Sequence, residues 1–235
     1  MTTDAAGALQ PYRNGAKNGE PRDTAVETVC RRVRRLILSK EFRAGQKLSE
    51  IGLSKQLEVS RTPVREALKI LAGDGLLVLV PKSGVWVANP SKREVEDAYA
   101  LRVKLESWAV SMAVRNVTPL YLARLNERIQ EETEVFAGDG DVERYLEVNT
   151  AFHMTIAEMS GNSILMEHVR MILEKTFLYM GFHERIFDPR DNMSLKEHIE
   201  LMDAFTDRDE ARCAHLMERH VSGGFTHLTL LGSGK

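Results

Sequence analysis

The stretch Val59-Ser-Arg-Thr-Pro-Val-Arg-Glu-Ala-Leu68 decides how the rest of the chain is read. Ser60 is a good helix cap, and Pro63 falls at an early helical position where its missing N–H is tolerated. Val64, Leu68 and Leu71 recur at helical spacing and face inward, so Arg61 and Arg65 project outward. Upstream, Ser49 caps a short helix with Leu53 and Leu57 inward. A longer helix runs from Thr24 through Val26, Val29, Cys30, Val33, Leu36 and Ile37. Phe42-Arg-Ala-Gly45 ends it in a turn, and Gly45 supplies the backbone freedom. Downstream, the apolar runs Leu76–Val80 and Val85–Ala88 are joined by Pro81-Lys-Ser-Gly84, which predicts a hairpin. Three helices and a hairpin make a winged helix-turn-helix.

Charge separates this region from its surroundings. Residues 22–90 hold 13 Lys and Arg against 7 Asp and Glu, whereas residues 91–235 hold 17 against 25. A basic module beside an acidic one predicts that the first faces a polyanion. The helix opened by Ser60, Arg61 and Thr62, with Arg65 one turn on, has the chemistry to enter a major groove. Arg can hold a guanine bidentately and Ser or Thr can bond phosphate, while Lys82 at the hairpin tip reaches neighbouring backbone. Protein-binding winged helices share the triplet of helices with outward Arg, so the fold alone does not decide for DNA.

Asn89-Pro90 stops the last strand, and Ser91 with Glu94 forms a capping box that opens a new helix. This divides the chain into a polar tail at 1–22, a winged helix-turn-helix domain at 23–90 and a second domain at 91–235. Breakers at Thr118-Pro119, Gly138-Asp-Gly140, Ser160-Gly-Asn162, Asp188-Pro189 and Asp207 cut the second domain into six helices, near 91–115, 119–137, 141–160, 163–182, 192–206 and 208–231. The expected fold is therefore mainly α, a winged helix-turn-helix followed by an all-α bundle. Cys30 and Cys213 are far apart, which speaks against a disulfide framework. The first twenty residues lack an apolar core, and no apolar run is long enough to span a membrane. A cytoplasmic protein is expected.

All seven His follow residue 90. Asn149 and His153 are four apart and share one helix face, and His198 and His220 fall on two further helices. Inward groups on facing helices can converge on an ion, and imidazole suits zinc, nickel or manganese. Equally, any single helical His is commonly a surface or satisfied core residue, and His168, His183, His215 and His227 are read that way.

These segments resemble a known family. Glu50, Val59–Leu68, Leu71, Asp74-Gly75-Leu76 and Pro81–Gly84 are similar to the DNA-binding domain of the GntR family of bacterial transcription regulators. Arg102-Val-Lys-Leu-Glu106, Asn149-Thr-Ala-Phe-His153, Ser160-Gly-Asn162, His198 and Ala211 through His220 resemble the all-helical C-terminal (FCD) domain of its FadR-type branch. The resemblance implies DNA contacts at Ser60, Arg61, Thr62, Arg65 and the wing residues Lys82, Ser83 and Gly84. It implies a divalent metal held by Asn149, His153, His198 and His220, and a small effector, a carboxylate, met by Arg102. Two departures stand out. Ile51 replaces an Arg common after the acidic residue of the second helix, and Asn149 replaces a frequent Asp, removing one negative charge from the ligand set. For Arg102 a structural ion pair with Glu106, four residues on, is the competing assignment. Tyr145 and Arg185 are further candidates for the cavity wall.

The leading expectation is a non-enzymatic, ligand-controlled regulator that binds a double-stranded operator as a homodimer, since two-fold sites match two-fold proteins. Two alternatives stand beside it: a hydrolase-like enzyme using the three His, and an architectural DNA-binding protein without ligand control. The enzyme lacks an acidic residue at a telling spacing beside the His motifs, as HExxH would have.

Overall fold

The computed structural model describes residues 24–138, 142–181 and 192–231. The tail at 1–22, His183 and Arg185 lie outside them, and so does the side chain of His227. The order of elements is α1 (Ala25–Leu38), β1 (Lys47–Leu48), α2 (Glu50–Gln56), α3 (Arg61–Gly73), β2 (Leu77–Val80), β3 (Gly84–Val87), α4 (Lys92–Ala113), α5 (Pro119–Ala137), α6 (Val142–Met159), α7 (Ser163–Gly181), α8 (Met193–Thr206) and α9 (Glu210–Leu231).

Local chemistry sets the boundaries. Thr24–Glu27 and Ser91–Glu94 both form complete capping boxes, and Ser49 accepts from the Gly52 N–H at 3.2 Å. Ser60 stands at the N-cap of α3 with extended backbone, but its hydroxyl makes no capping bond. The first helix covers the apolar spacing but ends at Leu38, before the Phe42–Gly45 turn expected to end it, and Lys40 turns the chain at φ 66°. One short strand, β1, is absent from the sequence reading. It pairs antiparallel with β3 through Lys47↔Trp86 and Leu48↔Val85, and β3 pairs with β2 from Leu77↔Val87 to Val80↔Gly84. Two residues carry no period, so such a strand is visible only through its partner.

The first apolar core joins α1, α2, α3 and the sheet through Val29, Val33, Ile37, Leu53, Val64, Leu68, Leu71, Leu77 and Val87. A second, larger core fills the bundle, with Val110, Leu125, Phe152, Ile156, Leu201, Phe205 and Met217 buried within it. The two regions touch. Leu178 of α7 packs on the first core, and Arg35 of α1 lies 3.7 Å from Glu143 of α6. Among the described residues no helix is long and apolar enough to cross a membrane.

Candidate metal centre and DNA-reading surface

On α3, burial of Val64, Ala67, Leu68 and Leu71 turns the opposite face to solvent. Ser60, Arg61, Thr62 and Arg65 are exposed there. Both guanidinium groups lean on one carboxylate: Arg65 donates to Glu50 at 3.2 Å, and Arg61 lies 3.8 Å from the same oxygen. Glu50, the first residue of α2, thus aims both arginines, a role its position alone did not signal. Ile51 beside it is half exposed and apolar, so that edge of the surface lacks a cation.

The wing turn Val80-Pro81-Lys82-Ser83 closes with the Ser83 N–H donating to the Val80 carbonyl at 3.0 Å. Lys82 takes φ 62° at the third position, where a type II turn prefers Gly. Its exposed side chain stands at the tip, with Ser83 half-buried and Gly84 exposed next to it. A non-glycine residue held left-handed costs about 1 kcal/mol, so the sequence retains a charge where a bare turn would be easier to form. Lys82→Ala is expected to weaken binding to all DNA sequences alike and to lower the slope of log affinity against log salt by about 1. Filter or anisotropy titrations at several salt concentrations measure this, and a change in sequence preference at constant slope would contradict a phosphate contact.

In the bundle, α6, α8 and α9 bring His153, His198 and His220 together. His198 Nε2 lies 3.3 Å from His220 Nε2, which lies 3.2 Å from His153 Nε2. His153 and His198 are fully buried and His220 nearly so. Each ring is oriented from behind by a carboxylate: His153 Nδ1 by Glu106 of α4, His198 Nδ1 by Glu132 of α5 at 2.7 Å, and His220 Nδ1 by Glu197 of α8 at 2.8 Å. Phe152 stacks on His198 with ring centroids 4.0 Å apart, closing one side.

The protonation pattern follows. Burial pushes His153 down to about 3 and also lowers His220, so these imidazoles stay neutral. Burial alone would raise the Glu106 carboxyl, but Arg102 and then His153 outweigh it and hold it below the usual range. Glu132 and Glu197 are likewise lowered, against burial, chiefly by His198 and His220 respectively. Ionised Glu106 and Glu197 facing neutral His153 and His220 fix the proton on Nδ1 and leave the lone pair on Nε2. His220 Nε2 thus lies 3.2 Å from the Nε2 of His153 and 3.3 Å from that of His198, a donor set that a cation among them would satisfy. The spacing is close to that of imidazoles bonded at ~2.0–2.1 Å to one ion. Buried acids outnumber the buried guanidinium nearby, which also favours a cation. The residues fit a divalent metal.

Asn149 is buried one turn before His153. Its amide nitrogen donates to the Ser194 hydroxyl at 3.2 Å and to the Tyr145 hydroxyl at 3.4 Å. Ser194 passes the chain on to Glu132 at 3.1 Å, so Asn149 and His198 belong to one network. Arg102 makes the predicted ion pair with Glu106, Nε to Oε1 at 2.5 Å, and also reaches the site: Nη2 lies 3.3 Å from His153 Nε2. The ion pair is therefore formed, and the same guanidinium stands beside His153. Nearby, the Tyr99 hydroxyl is buried without a hydrogen-bond partner among the described residues, and burial pushes it up to about 12, so it remains a donor. The acids missing from the sequence motif are present after all, as Glu106, Glu132 and Glu197. Each is committed to an Nδ1–H, which orients a ligand rather than activating water.

Comparison with known proteins agrees with this architecture. The family model described as bacterial regulatory proteins, gntR family, matches residues 25–87, and that of the FCD domain matches residues 97–223. The chain is 30% identical over 193 residues to the Nta operon transcriptional regulator of Aminobacter aminovorans, covering 82% of this chain and 89% of that protein. It is 33% identical over 182 residues to the HTH-type transcriptional regulator McbR of Escherichia coli, covering 75% and 80%. The solved structure of E. coli McbR/YncC superposes with a TM-score of 0.67 at 27% identity, over 88% of this chain and 98% of that one. Both relatives are named as transcriptional regulators. With a winged helix-turn-helix carrying outward arginines and a bundle matching the FCD model, the chain belongs to the gntR family of bacterial regulatory proteins and is a DNA-binding transcriptional regulator.

Proposed function

We propose that operator binding by this regulator is controlled by a small carboxylate effector at a divalent-metal site formed by Asn149, His153, His198 and His220. The observation that carries this reading is the convergence of three Nε2 atoms, each backed by its own carboxylate. Zinc, nickel or manganese suits such a donor set, and an open coordination position on the ion would take a hard anionic oxygen. Arg102 offers a planar pair of donors to the other end of the effector, and the Tyr99 hydroxyl supplies a further donor beside it. Ser60, Arg61, Thr62, Arg65 and the wing from Lys82 to Gly84 read the operator, in the cytoplasm with the DNA.

The test uses the full chain loaded with zinc. A panel of small mono- and dicarboxylates is screened by thermal shift, and DNA selected from a random library is titrated with and without the best binder. A carboxylate whose shift disappears with chelator, and which changes DNA affinity, supports the reading. Stabilisation that survives chelation contradicts it. Asn149→Asp is expected to tighten zinc binding by restoring one negative charge, and competition against a chromogenic chelator measures the change. Weaker or equal binding would remove Asn149 from the ligand set.

We infer in addition that the regulator works as a homodimer. Leu101 and Trp108 lie seven residues apart on α4, and Ile164 and Met171 lie seven apart on α7, each pair on one helix face. All four are at least half exposed, and the two helices pack together. Exposed apolar side chains so spaced on adjoining helices suit a self-complementary interface. Trp108→Glu is expected to shift the protein towards monomer in sedimentation experiments. Failure to move the equilibrium would place the interface elsewhere.

A further inference from the structure

Three consecutive residues of α7 join the His site to the DNA-reading region. Arg102 Nη1 lies 3.5 Å from the Thr176 hydroxyl, and the Arg102 guanidinium carbon sits 5.1 Å from the centre of the Phe177 ring. Leu178 follows. It packs on the core of the winged helix, and a Cβ added to Gly75 would stand only 3.4 Å from its Cδ2. Gly75 lies in the turn that leaves the recognition helix, at φ 80°, a conformation that holds the helix end and β2 in a fixed relation. The same α7 segment therefore grips the arginine of the site with two residues and touches the end of the recognition helix with the next.

Arg102 is poised to respond. Its Nη2 points at the Nε2 lone pair of His153, the lone pair a metal ligand needs. Once His153 gives that lone pair to an ion, Arg102 loses an acceptor and meets a positive charge. Its guanidinium must turn away, and Thr176 and Phe177 are what it turns against. We propose that α7 is the lever of this protein: displacement of Arg102 from His153 shifts Thr176 and Phe177 and unseats Leu178 from the Gly75 turn, changing how the recognition helix is held. The inference rests on the metal reading above and adds the route by which the site reaches DNA.

Hydrogen exchange followed by mass spectrometry on the full chain tests it, with zinc alone as the probe. In the wild type, zinc is expected to slow exchange in α6, α8 and α9 and to speed it at residues 70–80. In Leu178→Ala the first response persists, whereas residues 70–80 exchange fast from the start and no longer respond. The DNA-reading core keeps its own apolar contacts, so that variant retains its fold. Leu178→Met, which preserves volume, restores the wild-type pattern. A slowing at residues 70–80, or an undiminished response there in Leu178→Ala, overturns the lever. Protection of the His-bearing helices without any response at residues 70–80 overturns it too, while leaving the metal site intact. No protection of those helices in the wild type overturns the metal reading, and the lever with it.

Discussion

His153→Ala and His198→Ala are expected to strip the protein of its divalent ion, while the wild type holds about one per chain. The reason is that one ligand nitrogen from each of the three His lies within 4.8 Å of the others, so losing one leaves only two imidazoles. The accompanying loss of stability is large. A ligand at a hundredfold excess over its Kd stabilises the folded state by about 2.7 kcal/mol, or roughly 5–10 °C in Tm for a chain of this size. Chelator should lower the wild-type Tm by that amount and leave the two variants unmoved. Acid should also release the ion, because protonated imidazole cannot ligate. Elemental analysis and melting curves with and without chelator measure all of this. Equal zinc content in wild type and variants, or none in the wild type after zinc is supplied, would return these residues to ordinary core polar groups.

The second large effect is on DNA. Arg61→Ala and Arg65→Ala should each reduce specific binding roughly 5- to 150-fold, since a bidentate Arg–guanine contact contributes about 1–3 kcal/mol of discrimination. The fold should survive, because both side chains are more than half exposed and contribute nothing to the core. Anisotropy titrations on selected and scrambled duplexes measure both arms, and circular dichroism checks the fold. Unchanged affinity in both variants would mean that α3 is not the recognition helix.

The winged helix was legible because its signals are local. A cap, an early proline, helical spacing and a glycine-bearing hairpin each fix a few residues, and together they fix the order of elements. The bundle was legible from its breakers: helices predicted near 163–182 and 192–206 are found at Ser163–Gly181 and Met193–Thr206. The backing of the His site was not. Glu106 and Glu132 each occupy a place in the buried stripe of a helix, between Tyr99 and Ala109 on α4 and after Leu125 and Ile129 on α5. A charge on the buried stripe of a helix signals an inward partner, and here that signal was present but does not name the partner. Glu197 had no such signal, because its pairing with His220 depends on how α8 and α9 cross. Which helices face each other is a property of the packed bundle, beyond the reach of periodicity.

Glu50 has a consequence for how the protein finds its target. Its carboxylate occupies both recognition arginines before any DNA arrives. Any stretch of DNA must compete with it. A phosphate with its two free oxygens and a guanine edge with O6 and N7 can each take an arginine bidentately, so both compete with Glu50. The competition weakens arginine-mediated holding wherever the replacing contact is incomplete. Weaker holding at each wrong site speeds release during the search along a chromosome, where wrong sites vastly outnumber right ones.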